Sequence, residues 1–476
     1  MPVVNSKIAP LMFHYFEEIS RIPRGSGNEK GIADYLVAFA DARGLACYRD
    51  GENNVLIKMK ATAGRENDAP VLLQGHTDMV CEKLPEVKHD FLQDPLELYV
   101  EDGWLKAKGT TLGADDGIAV AAMLAILDGA LASHPALECL FTTAEETGMN
   151  GAVAFDFSKV SARKLINLDS ANEVEVVCGC AGGVRSEIVL EGEKAARGGD
   201  ALTVTVSGLC GGHSGEDIHR GLANANRLMA RILLAVSDET ELCIANINGG
   251  SKDNAIPRDC TATVTVADSD KAFDVIHAEA EKIAAELADA DSGFSCSVTA
   301  SVAASAFDAD FSARLLAAIG NAPCGVIEMS RDVEGLVEWS SNLGVITTAD
   351  DRVTLTFQSR STIEARLDHT TRIIDALAKA CGGRAKHHGR YTGWNFEKDS
   401  PLRDSYLATY RELFDGEAKP VIIHAGLECG LIRAKIPDMD MISIGPENIG
   451  LHSPSERLNI ASAERFWQIL EKMLSE

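Results

Sequence analysis

A histidine and an aspartate two residues apart, His76 and Asp78, follow the apolar run Val71-Leu72-Leu73-Gln74 and Gly75. A run of this kind between Pro70 and Gly75 reads as a buried strand of a parallel sheet, which sets the His-x-Asp at its C-terminal end. Such sheets receive their ligands at that end. Alternate residues of an extended chain point the same way, so Asp78 is placed to accept the ring N–H that a metal-bound imidazole still donates. The expectation is that His76 ligates a metal and Asp78 orients it. A satisfied structural histidine at a strand end is the alternative this motif alone leaves open.

Other places repeat the pattern. Gly113-Ala114-Asp115-Asp116-Gly117 delivers adjacent aspartates onto a helix rich in Ala, Val and Leu. Carboxylates there serve as N-caps or as ligands, or one as each. A strand expected over 136–143 ends in Ala144-Glu145-Glu146, and two glutamates after a buried strand are costly unless they meet cations or solvent. Adjacent side chains diverge, so one glutamate can bind a metal while the other faces its water. Asp169 closes a short strand over 164–168, and His452 lies in a loop over 446–456 that follows a strand-like 442–445. Together these carboxylates and histidines would meet along one edge of a parallel sheet.

The elements that must position them follow from composition and periodicity. At 476 residues the chain exceeds what one hydrophobic core usually serves, so two domains are expected. Lys plus Arg number 45 against 71 Asp plus Glu, a formal charge of −26, which argues against nucleic acid or an anionic membrane as partner. No apolar run is long enough for a membrane span, and the N-terminus lacks the basic and apolar regions of a leader. Twelve cysteines are scattered with no C-x-x-C, which fits reduced thiols and a cytoplasmic location.

Residues 1–183 alternate helix and strand, and 398–476 resume that pattern. Between them, 184–397 reads as an inserted α+β domain. Helices are expected over 217–236, 271–289, 310–319 and 369–380, among strands that include 344–348, 352–358 and 384–391. Two αββαβ-like rounds in this insert suggest an internal duplication.

Five segments, GHTDMV, GADDG, AEETG, NLDS and PENIGLHSPSE, in that order, resemble the co-catalytic zinc peptidases that include aminoacylases, carnosinases and glutamate carboxypeptidases. The length, the double-sized insert and the HAGLECG segment at His424 resemble the aminoacyl-histidine dipeptidase branch of that family. The resemblance implies an α/β catalytic domain with a mixed, mostly parallel sheet and flanking helices, interrupted by an α+β lid and dimerisation domain. It implies two Zn2+ per chain, with Mn2+ or Co2+ as other occupants of such N and O sites. His76, Asp115 and Asp169 would hold one ion; Asp115, Glu146 and His452 would hold the other. Glu145 would be the general base, Asp78 the partner of His76, and the 115–116 peptide bond cis.

In the insert, the resemblance points to His213 as an oxyanion stabiliser and to Asn254 and Arg360 as holders of a substrate carboxylate. Gly426 would offer a backbone N–H at the substrate pocket. The implied activity is hydrolysis of small peptides, dipeptides of broad range including Xaa-His such as carnosine, by a homodimer paired through the lid. An N-acyl amino acid deacylase, an aminotripeptidase, or a catalytically silent zinc scaffold are the alternatives. No G-x-S-x-G elbow, G-K-[ST] phosphate loop or H-E-x-x-H helix is present.

Overall fold

Strand Val71–His76 is buried at all six positions, as a strand covered on both faces must be. It pairs in parallel with Leu137–Thr142 on one side and Lys164–Asn167 on the other. Lys164–Asn167 pairs in turn, also in parallel, with Asp440–Ser443. These four are the centre of an eight-stranded mixed sheet. Val55–Met59 and Ala46–Arg49 continue it antiparallel on one side, and Glu175–Cys180 and Lys419–Ile423 complete it on the other. Because the central strands share a direction, the residues after His76, Thr142, Asn167 and Ser443 emerge at one end.

The computed structural model describes residues 2–197, 199–287, 289–331, 333 and 335–476. Two units divide them. The first holds residues through Gly179, Trp394–Ile422 and Leu427–Glu476; the second holds Cys180–Gly393 and Ile423–Gly426. The sequence reading divides the chain after 183 and after 397, a few residues later in each case.

In the first unit, helix Ala114–Leu127 is buried at every position except Asp115. A helix apolar on all sides belongs inside a core, and its alanines let it approach the sheet closely. A Cβ at Gly75 would lie 2.4 Å from Asp116 Oδ2 and 2.7 Å from the Ala119 Cβ. Glycine is the residue that this crossing of strand and helix allows. The surrounding core includes Phe13, Phe16, Leu36, Phe141, Phe466 and Leu470. A smaller four-stranded sheet carries Asn448–Ile449 beside Arg457–Asn459, which pairs with Trp104–Ala107.

The second unit is built on a nine-stranded antiparallel sheet. Its first half runs Asp200–Ser207, Leu242–Gly249, Cys260–Val266 and Ser295–Ser301 in the chain, with helices Ala225–Ser237 and Ser269–Glu286 between. These strands take the spatial order fourth, first, third, second. The other half, Gly182–Glu191, Val337–Thr348, Arg352–Ser361 and Arg384–Tyr391, takes the same order, and the halves join at Gly249 and Ile346.

Several expected spans shift. The helix expected over 217–236 is a 3-10 turn, Ile218–Arg220, stopped at Gly221 with φ 67°, and then a helix beginning at Ala225. Asn224 supplies the interruption, because its side chain accepts the Arg227 N–H as a cap. The helix expected over 271–289 is Ser269–Glu286, and residue 288 lies outside the described residues. The strand expected from 344 begins at Val337, and the helix expected from 369 begins at Glu364. Among the described residues, no helix is long and apolar enough to cross a membrane. All twelve cysteines are free thiols.

Candidate metal centre

The site residues sit at strand ends, at a helix start and in a hairpin connection. His76 is the last residue of its strand. Leu137–Thr142 is followed by Ala144 with φ 53°, a left-handed conformation that turns the chain before Glu145 and Glu146. Asp169 lies two residues beyond Asn167. The Asp115–Asp116 peptide bond is cis, and both residues depart from helical geometry within the first turn. His452, with φ 59°, lies in the connection between Asn448–Ile449 and Arg457–Asn459.

These ends converge. His76 Nε2 lies 3.0 Å from Asp115 Oδ1 and 3.8 Å from Asp169 Oδ1. His452 Nε2 lies 3.2 Å from Asp115 Oδ2 and 3.1 Å from Glu146 Oε2. The two oxygens of Asp115 therefore face two different histidines. Donor atoms also cluster within 4.8 Å as three sets: His76 with Asp116 and Asp169, His76 with Glu145 and Glu146, and Asp115 with Glu146 and His452. The first set contains Asp116, to which the family resemblance gives no ligand role. Asp116 Oδ2 already accepts the His76 backbone N–H at 3.2 Å.

The donor chemistry fits bound cations. His76 Nδ1 lies 3.0 Å from the carbonyl oxygen of Asp78, and a carbonyl only accepts, so the proton belongs on Nδ1. In the neutral ring Nε2 then presents a lone pair to carboxylate oxygens, which is repulsive unless a proton or a metal cation lies between. Two donors about 2.0–2.2 Å from one tetrahedral ion stand about 3.3–3.6 Å apart, within about 0.5 Å of the spacings found. Glu146 Oε1 is buried without a hydrogen-bond partner among the described residues, as an oxygen reserved for a cation would be.

The electrostatics agree. Asp78, Asp116, Glu428 and Glu456 are buried beside the site carboxylates, with Arg24 as the buried guanidinium. Burial pushes the Glu145 carboxyl up to about 8, against the opposing pull of His76. Burial, then the Asp116 charge, raises Asp169 well above its usual range. Burial also works to raise Asp115, but the bonds from His452 and His76 outweigh it and hold that carboxyl low. The bonds to Asp115 and Glu146 lift His452 to about 10. Such an excess of buried negative charge is what a positively charged ligand relieves.

Asp78 does more than the spacing implies. Its carboxylate Oδ1 is 3.5 Å from His76 Nδ1, so the nearer acceptor of that ring N–H is the Asp78 backbone. The carboxylate itself accepts from Ser26 Oγ at 2.8 Å and from the backbone N–H groups of Glu145 and Glu146 at 3.1 and 3.3 Å. It thus holds both the histidine strand and the glutamate turn.

Two residues had no role in the sequence reading. Arg24 donates to the carbonyls of Thr77, Asp78 and Gly113, fastening the turns after His76 and before Asp115. Glu456 accepts the N–H groups of Leu112, Gly113, Ala114 and Asp115 at 2.8, 2.9, 2.9 and 3.3 Å. Capping of this helix start is therefore done by Glu456 and not by the local aspartates. Arg24 opens a Gly-rich loop and Glu456 closes the PENIGLHSPSE segment, signals too generic to assign alone.

In the second unit, Arg360 donates to the Tyr391 hydroxyl at 2.7 Å, and its Nη2 is 3.5 Å from His213 Nε2. The Asn254 carbonyl accepts the Ser214 N–H at 2.8 Å. Gly426 follows His424 by two residues; His424 Nε2 is 2.7 Å from Ser340 Oγ, and burial pushes that imidazole down to about 3. His213, Arg360 and the Asn254 segment thus belong to one cluster within this unit.

One histidine at a parallel strand end and another in an antiparallel hairpin thus face the two oxygens of one carboxylate, an arrangement suited to metal-dependent hydrolysis. The model of peptidase family M20/M25/M40 matches residues 72–476, and the chain belongs to that family. The cytosol non-specific dipeptidase of Escherichia coli (strain K12) is 39% identical over 480 residues, covering 99% of this chain and 98% of the relative. The crystal structure of aminoacylhistidine dipeptidase from Vibrio alginolyticus is similar with a TM-score of 0.88 at 36% identity, covering 100% of this chain and 99% of that one. An aminopeptidase from Bacillus cereus shares the fold, with a TM-score of 0.56 at 15% identity over 98% and 97% of the two chains.

Proposed function

We propose that this chain is a cytoplasmic dipeptidase of broad range, Xaa-His dipeptides such as carnosine included, working with two Zn2+ held by His76, Asp115, Asp169, Glu146 and His452. The observation that carries this reading is Asp115, whose two oxygens face His76 and His452 separately. Manganese or cobalt would suit the same N and O donors. When bound, such ions polarise a scissile carbonyl and acidify water.

The protein's own groups supply the remainder. Glu145, adjacent to a ligand but free of that duty, takes a proton from water and passes it to the leaving amine. Burial works to raise its carboxyl, the direction a general base needs. Asp78 fixes the backbone of Glu145, which sets the direction of that transfer. In the second unit, proposed as a lid and as the pairing surface of a homodimer, His213 would stabilise the oxyanion. Arg360 and Asn254 would hold the substrate C-terminal carboxylate, and Gly426 would add a backbone N–H. The names of both full-length relatives support a dipeptide substrate.

The test is a panel of dipeptides, carnosine among them, against N-acetyl amino acids and tripeptides, before and after chelation and metal add-back. Cleavage of dipeptides that disappears with the metal and returns with it supports the reading. Preference for N-acetyl amino acids or tripeptides, or undiminished cleavage after demetallation, overturns it.

A further inference from the structure

Beneath the strand ends, a row of side chains crosses three parallel strands. Asn167 Nδ2 donates to Gln74 Oε1 at 2.7 Å. Gln74 Nε2 donates to Glu428 Oε2 at 2.6 Å and to Thr142 Oγ1 at 3.1 Å. The Thr142 hydroxyl donates to the same Glu428 oxygen at 2.7 Å. All four residues are fully buried. Gln74 and Asn167 are direct partners in the sheet, and Thr142 stands opposite His76.

The row has only one consistent set of donors. The Asp169 N–H lies 3.3 Å from Asn167 Oδ1, so the Asn167 amide must turn its nitrogen toward Gln74. Gln74 must then offer its oxygen to Asn167 and its nitrogen to Glu428. Glu428, opening helix Glu428–Lys435, ends the row as its acceptor. Without that acceptor one amide hydrogen of Gln74 lacks a partner and the Thr142 hydroxyl is left with the Gly75 carbonyl at 3.3 Å, and a Gln74 amide that flips to find a partner breaks its bond to Asn167.

We propose that Glu428 is a positioning residue, which fixes this amide row and thereby the strand ends that carry His76 and Asp169. The assignment rests on the reading of those two residues as metal ligands. Only Oε2 of Glu428 is engaged, and Oε1 has no partner among the described residues. A glutamine can therefore replace it, its carbonyl oxygen accepting both bonds and its amide nitrogen standing where Oε1 stood. The role depends on an acceptor and not on a charge, although burial pushes this carboxyl up to about 7.

Metal affinity is measured first on the parent protein by chelator competition, so failure of the underlying reading shows there, before any variant is compared. Glu428→Gln is expected to keep metal affinity and kcat within about 3-fold of the parent. Glu428→Leu is expected to lose about 10- to 100-fold in metal affinity, with kcat falling more than KM rises. If Glu428→Leu does not fold, Thr142→Val removes one donor to Glu428 and one acceptor of Gln74, and an intermediate loss of affinity is expected from it. Unchanged affinity in Glu428→Leu, or in Thr142→Val where that variant decides, overturns the proposal. So does a Glu428→Gln loss as deep as that of Glu428→Leu, because charge would then be what matters.

Discussion

Asp115 Oδ2 and His452 Nε2 stand 3.2 Å apart, although 337 positions separate them in the chain. The other oxygen of the same carboxylate is 3.0 Å from His76 Nε2. One side chain thus links the end of a central strand to a hairpin near the C-terminus. Asp115→Asn preserves shape but turns one of these oxygens into a donor, leaving one histidine facing an N–H group. Both metal equivalents are expected to weaken together, with activity falling by more than the roughly 100-fold typical of residues behind a ligand. Metal content after gel filtration, read beside activity, checks this. Loss of neither equivalent would show that Asp115 is not shared.

Glu145 and Glu146 are neighbours in sequence, and the roles proposed for them are separable. Glu146 Oε2 is 3.1 Å from His452 Nε2, whereas the Glu145 backbone is pinned by Asp78. Glu145→Gln is expected to bind metal as the parent does and to lose kcat by about 10²- to 10⁴-fold, the worth of a general base. Glu146→Gln is expected to lose metal. The reverse pattern in metal analysis would exchange the two assignments.

The sequence displays candidate ligand types because metal chemistry restricts them to a few residues, and hydrophobic periodicity points to the element ends that carry them. His76, Asp115 and Asp169 are legible for that reason. Asp78 is legible as a partner of His76, but its grip on the Glu145 and Glu146 backbone depends on the left-handed turn at Ala144, which no local pattern announces. Glu456 and Arg24 escape notice because each bonds to backbone groups far away in sequence, and any acidic or basic residue there would read as solvated surface. The late start of helix Ala225–Ser237 has a similar cause: apolar periodicity runs through the Ile218–Arg220 turn, and the Asn224 cap decides the boundary.

The stability of the demetallated protein should depend on pH with a fixed sign. Folding raises the Glu145 carboxyl to about 8 and the Glu428 carboxyl to about 7, mainly through burial. The folded state then holds protons that the unfolded chain releases near pH 4.5, so stability falls as pH rises from about 4.5 through these values. His452, lifted to about 10 by its two carboxylates, adds stability below about pH 6.5 that is lost as pH rises through 10. All three contributions have the same direction. His424, whose imidazole burial pushes down to about 3, works the other way below about pH 6.5. Thermal unfolding of chelated protein from about pH 7 to 9 should therefore show a falling midpoint, and restored metal should flatten the dependence. A midpoint that rises over this interval would contradict the buried-carboxylate account.

Glu456 offers the sharpest separation of support from chemistry. Each of its oxygens receives backbone N–H groups from the loop entering helix Ala114–Leu127, and Asn448 adds a bond at 3.2 Å. Glu456→Gln places an amide donor among these donors, so at least one buried N–H loses its acceptor, at a cost of about 1–3 kcal/mol. The loop that relaxes carries Asp115, and the hairpin that held it carries His452, so metal affinity should fall with stability. Ser455→Ala, beside Glu456 on the same hairpin, is the control and should change neither. Urea unfolding of chelated protein reports the first effect and chelator competition the second. If Glu456→Gln unfolds at the parent's urea midpoint and binds metal as tightly, the four N–H groups find other partners, and Asp115 is held by something other than this carboxylate.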